Sequence, residues 1–155
     1  VPANGKIRSL DASSASKIVS EVMLKADKFS IEASTAARIE TAVEATSCTI
    51  ETSSASKVEA SVEAGSCSLD ASSASKITLE GSARTFKADM SSASKLDAEK
   101  FSAVNATIDT SSAANVSIDC SGKLTASASS GSSIRYSGDC QTSLEKSSGG
   151  SIRKL

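Results

Sequence analysis

A nine-residue phrase returns eight times along this chain, and that recurrence restricts the fold more than any other feature. It runs aliphatic, acid, small residue, Ser/Ala/Thr stretch, base, aliphatic. The copies are Leu10-DASSASK-Ile18, Ile31-EASTAAR-Ile39, Ile50-ETSSASK-Val58, Leu69-DASSASK-Ile77, Ala88-DMSSASK-Leu96, Ile108-DTSSAAN-Val116, Ala126-SASSGSS-Ile134 and Leu144-EKSSGGS-Ile152. Their starts are 21, 19, 19, 19, 20, 18 and 18 residues apart. A period near 19 sustained from end to end is the signature of a solenoid, in which each repeat buries its apolar side against its neighbours.

The type of solenoid follows from the period within each repeat. The two aliphatic residues of a phrase are eight apart, and an extended phrase would turn both to the same side, with the second and eighth positions outward together. Between phrases, Val22-Met23-Leu24, Val43-Glu44-Ala45, Val62-Glu63-Ala64, Ile77-Thr78-Leu79 and Val116-Ser117-Ile118 carry β-branched residues at strand spacing. Apolar residues do not recur at three and four, so a helix is not supported. The expectation is an all-β, parallel β-helix of seven to eight turns. Turns stacked about 4.8 Å apart would give a rod roughly 40 Å long.

Composition agrees with one such domain over residues 1–155, closed by residues 126–155. Serine and alanine dominate; there is no Trp, and only three Phe and one Tyr. A Ser-rich chain can also be disordered, but disorder has no reason to keep aliphatic residues in register, and the only proline is Pro2. Seventeen basic and eighteen acidic residues are interspersed, for a net charge of −1. That balance gives no field to steer nucleic acid and no aromatic platform to stack it. No apolar run is long enough for a transmembrane helix, and Val1-Pro2-Ala3-Asn4-Gly5 carries no export signal. Nothing ahead of Leu10 looks like a cap, whereas the C-terminal phrases gain glycine at Gly131, Gly149 and Gly150. An open N-terminal edge would invite a second copy, hence a homo-oligomer.

The repeated Ser-Ala-Ser-Lys-aliphatic string, Leu96-Asp97-Ala98-Glu99, and the ending resemble a known bacterial family, the head or GIN domain of auto-transporter adhesins. That ending reads Ser129-SGSSIRYSGDC-Gln141, then Leu144-EKSSGGSIRK-Leu155. The resemblance covers nearly the whole chain, though only the family's repeat-bearing portion; its usual N-terminal part is absent. Cys140 stands where the family commonly has proline. Ser14, Thr35, Ser54, Ser73, Ser92 and Ser112 stand where glycine is usual. The resemblance implies a right-handed β-helix on an exported protein of the bacterial surface or envelope, and carries over no defined site residues.

Candidate binding residues come from the columns that stacking would create. The second phrase position gives Asp11, Glu32, Glu51, Asp70, Asp89 and Asp109, with Glu145 after a gap at Ser127. The eighth gives Lys17, Arg38, Lys57, Lys76 and Lys95. Stacked carboxylates repel and need counter-charges, so the column could hold a cation or a cationic polymer, and the bases an anionic polysaccharide. The bland alternative is a solvated face whose opposite charges, six residues apart, compensate. Hydroxyls at positions four and five, from Ser13-Ser14 to Ser111-Ser112, could order water as an ice-binding face does, or contact sugars. They equally suit tight corners, and Thr-x-Thr ranks are missing there.

Cys48 and Cys67 hold the same place in consecutive turns and should sit one above the other, at a spacing that a disulfide accepts. Cys120 and Cys140 are a second candidate pair. With no histidine and no Cys-x-x-Cys, zinc is not expected, nor is any other metal or cofactor. Asn105-Ala-Thr107 and Asn115-Val-Ser117 match the glycosylation sequon, which matters only in a eukaryotic secretory setting. A polysaccharide lyase or hydrolase is the competing class, since β-helices commonly carry such sites. A catalytic site breaks symmetry, however, and these acids repeat identically. The singular cluster is Arg135-Tyr136 with Asp139, which reads as a cap. The expectation is a non-catalytic structural or adhesive module that meets polysaccharide or another surface partner through its ladders.

Overall fold

Residues 9–155 are described by a computed structural model of the chain; residues 1–8, among them Val1–Gly5, and the side chains of Glu21 and Val22 lie outside the described residues. Ten strands follow one another: β1 (Ser9–Ala12), β2 (Lys17–Ala33), β3 (Arg38–Thr52), β4 (Lys57–Ala71), β5 (Lys76–Met90), β6 (Lys95–Thr110), β7 (Asn115–Ala128), β8 (Ser133–Ser137), β9 (Gln141–Lys146) and β10 (Ser151–Lys154). All pair in parallel, in the order β1 to β8 and then β10, with β9 on β7. The fold is a β-solenoid of about eight turns with about 19 residues per turn, three-quarters strand.

The phrase itself is not extended. Strands stop at its third residue and resume at its eighth, and between them the chain passes through two left-handed residues: Ser54 and Ala55 at φ 55° and 64°, Ser73 and Ala74 at 57° and 64°. Both aliphatic ends of the phrase, such as Ile50 and Val58, are fully buried because the corner turns the chain around the core, rather than because a straight strand keeps them on one side. L residues occupy this region at a cost of roughly 1 kcal/mol or more each. The corners stay there because they stack: Ala36 N donates to Ser54 O, Ala55 N to Ser73 O and Ala74 N to Ser92 O, each at 2.9 Å.

A second bend lies inside each long strand, marked by a slip in the in–out alternation. Gly65 and Ser66 are both exposed, as are Arg84 and Thr85, and Val104 and Asn105. The uneven repeat lengths are absorbed away from the phrase. Two extra residues of the first repeat bulge between Val19 and Met23, and one extra residue bulges where Thr78–Glu80 faces Asp97–Lys100. The phrases themselves stay in strict register, Ile31 on Ile50 on Leu69. Varying the length elsewhere lets every turn present the same outward columns.

The interior is filled by compensating volumes. Cys67, Leu69 and Ala71 point inward in β4; one turn on, the same places hold Phe86, Ala88 and Met90, and then Ala106, Ile108 and Thr110. The phrase that begins with Ala88 instead of Ile or Leu does so beside Phe86, whose ring packs on Phe101 with centroids 5.2 Å apart. Close packing requires this trade of large for small.

Candidate binding face

Three columns of outward residues share the flat side formed by the C-terminal halves of β2 to β6. Nearest the corner is the acidic one, Asp11 on Glu32 on Glu51 on Asp70 on Asp89 on Asp109, continued by Ser127 and Glu145. Two residues earlier, and so on the same face, a hydroxyl column runs through Ser30, Thr49, Ser68, Thr107 and Thr125, interrupted by Lys87. A third column includes Ser47 and Ser66, whose hydroxyls lie 3.3 Å apart. In the sequence these hydroxyls stand at i−2 of Glu32, Glu51, Asp70 and Asp109 and at i−4 of Glu51, Asp70 and Asp89. The denser corner serines, among them Ser54, Ser73 and Ser92, occupy the turn rather than a flat strand face.

The two charged columns have different surroundings. Lys17, Arg38, Lys57, Lys76 and Lys95 form a register-matched column across the corner. Two of the five meet acids two residues along, not the acids six residues back: Arg38 pairs with Glu40 and, at 3.8 Å, with Glu59, and Lys57 pairs with Glu59 at 2.6 Å. The Lys57 hydrogen bond, aided by its charge and that of Arg38, holds Glu59 below the usual carboxylate range. Among the described residues, no ion pair reaches the six carboxylates of the acidic column. The compensation expected between the two columns is therefore not made. A shallow groove of about 310 Å³ follows the acids, from Asp11 to Asp70, and is lined also by Ser34, Ser53 and Ser72. Neighbouring carboxylates at strand spacing repel by somewhat under 1 kcal/mol in water, so the face is poised for positive charge.

The other sequence candidates do not converge on this face. Tyr136 is inward and buried; β10 lies over it, with Lys154 in register and Leu155 N donating to its carbonyl at 2.7 Å. Arg135 is exposed on the side of the basic column, near Lys95 and Asn115. Asp139 is fully exposed and meets Lys154 at 3.9 Å. Cys48 and Cys67 are register partners, both 2% exposed; hydrogen bonding to Cys48, and then burial, push the Cys67 thiol well up. Among the described residues, no three Cys, Asp or Glu side chains are grouped to hold a metal ion. No helix there is long and apolar enough to cross a membrane.

The fold defines the class of parallel β-solenoids, here with side-chain ladders repeated on its surface. The chain belongs to the family described as "Putative auto-transporter adhesin, head GIN domain", whose model matches residues 2–140. It is similar to the crystal structure of a putative adhesin from Parabacteroides distasonis (TM-score 0.91, 15% identity) and to one from Parabacteroides merdae (0.89, 16%). A third similar structure, from P. distasonis, is described as a putative lipid binding protein (0.85, 19%). Each alignment covers 96% of this chain but only 64%, 63% and 61% of the respective solved chain. At such identities the likeness speaks for the fold. No curated protein matches the chain.

Proposed function

We propose that this chain is a non-catalytic adhesive module of an exported bacterial surface protein, and that the acidic–hydroxyl face is its contact surface. One observation carries the reading: the acidic column is free of ion pairs among the described residues, while the basic column is partly paired by Glu40 and Glu59. A column of like charges with flanking hydroxyls suits a linear partner that repeats positive charge and hydroxyls, such as an amine-bearing polysaccharide. It disfavours anionic glycans. Affinity would come from many weak contacts along the rod, each worth little alone.

The test is binding of chitosan oligosaccharide and of polygalacturonate to the immobilised chain. Chitosan should bind, and Glu32→Gln, Glu51→Gln and Asp70→Asn should weaken it stepwise, roughly three-fold per carboxylate, with added salt acting in the same direction. Lys57→Gln and Lys76→Gln should leave chitosan binding intact. Preference for polygalacturonate lost with the lysines would overturn the assignment of the face. Glycan turnover abolished by one carboxylate substitution would overturn the non-catalytic reading.

A further inference from the structure

The four cysteines form two pairs across adjacent turns, and only one of them has access to solvent. Cys48 and Cys67 are sealed in the core. Cys120 is also buried, in β7, its thiol donating to Lys123 O at 3.3 Å and Val104 O at 3.5 Å. Cys140 is only half-buried, in the loop between β8 and β9. That loop lies over the middle of β7. Ser137 is in register with Asp119 and Gln141 with Lys123, so equal lengths of chain, 120–122 and 138–140, face each other.

Several contacts hold the two segments together. The Ser137 hydroxyl donates to Asp119 Oδ1 at 3.2 Å. A Cβ on Gly138, which has φ +94°, would come within 2.3 Å of the Cys120 carbonyl oxygen. The loop is thus pinned against β7, with the Cys140 side chain packed on the core.

We infer that Cys120 and Cys140 form a reversible disulfide in the folded protein, a clasp that locks the closing turn onto the rod, whereas Cys48 and Cys67 are closed to oxidants once the chain has folded. The oxidant is a small-molecule disulfide. The Cys140 thiolate attacks one of its sulfurs and displaces the first thiolate, leaving a mixed disulfide on Cys140. Cys120 then gives up its proton and attacks the Cys140 sulfur, expelling the second thiolate. Two cysteine thiols and one disulfide become one cystine and two small thiols. Burial, first among the causes, pushes the Cys120 thiol up, as does neighbouring Cys140; the more accessible Cys140 is therefore the attacking group and Cys120 the resolving one. Cys140 stands two residues out of register with Cys120, opposite Gly122, but it lies in a turning loop rather than a strand, and its side chain reaches the Cys120 thiol closely enough for a side-chain hydrogen bond.

Trypsin separates the four cysteines into peptides 39–57, 58–76, 101–123 and 136–146. The folded, reduced chain would be treated with oxidised glutathione, capped with an alkylating agent and mapped by mass spectrometry. The expected product links 101–123 to 136–146 with the loss of two hydrogens, while 39–57 and 58–76 remain separate and are alkylated only after denaturation. Oxidation should raise the melting temperature by roughly 5 °C. Cys140→Ser should abolish both the link and the rise, and Cys67→Ser should abolish neither. Glutathione retained on Cys140 without transfer, a 39–57 to 58–76 link appearing first, or equal melting temperatures for oxidised and reduced protein would each overturn the clasp.

Discussion

After β4 the chain turns through Ser73 and Ala74 at φ 57° and 64°; after β7 it turns through Ser130 and Gly131 at 52° and 76°. The two corners have the same shape and the same stacking hydrogen bond, Ala74 N to Ser92 O at 2.9 Å and Gly131 N to Ser148 O at 3.2 Å. Six early corners thus hold an alanine where the last two hold glycine. The inward side of the corner differs as well. In the early turns the hydroxyls of Ser16, Ser56 and Ser75 are buried with no hydrogen-bond partner. In later turns Ser94 donates to Ala71 O at 3.3 Å, and Ser132 to Thr110 O at 3.2 Å. The difference teaches that stacking, not residue choice, imposes the conformation, and that the closing turns, with glycine at the second position, have shed part of the strain the early turns carry.

The comparison breaks most sharply at a glycine that the fold cannot replace. A Cβ on Gly81, at φ +112°, would sit 2.2 Å from the Val62 carbonyl oxygen, whereas at Gly131 nothing lies within 4 Å. Gly81→Ala should cost about 3 kcal/mol, because backbone must move in mid-rod, and a denaturant melt should register that loss. The next effect has the opposite sign. Ser75→Ala removes an unpartnered buried hydroxyl and should stabilise by about 1 kcal/mol. Ser94→Ala, which breaks a hydrogen bond in the next turn, should not stabilise. If both serines behave alike in chemical denaturation, the contrast between early and late turns is wrong.

Much of this was readable in the residues. The period, the parallel stacking, the two charged columns and the register of Cys48 with Cys67 all follow from spacing, because side-chain identity recurs wherever register is strict. The corner did not follow: Ser54-Ala55 carries no glycine to announce positive φ, and the hydrogen bonds that enforce it come from the next turn. Charge pairing was also hidden. Lys57 and Glu51 look compensating at six residues apart, but the corner between them sends Lys57 to Glu59 instead. The contact of Cys120 with the 138–140 loop depended on how the shortened last repeats set their register.

The smallest predicted effect is the most discriminating. If each corner is an independent module held by its stack, then exchanging the two solutions should be symmetrical. Ala55→Gly relieves a left-handed alanine but adds freedom to the unfolded chain; the first effect is the larger, leaving a net gain of about 0.5 kcal/mol. Gly131→Ala runs the same exchange backwards and should lose about the same, with no steric penalty, since its surroundings are open. Combined in one chain the two should cancel, because the corners lie several turns apart and share no contacts. A loss at Ala55→Gly would mean that the alanine methyls contribute more to the corner than their strain costs. Failure to cancel would mean that strain travels along the hydrogen-bonded stack from Ala55 through Ser73, Ser92 and Ser112 to Ser130, so that the eight corners act as one cooperative column.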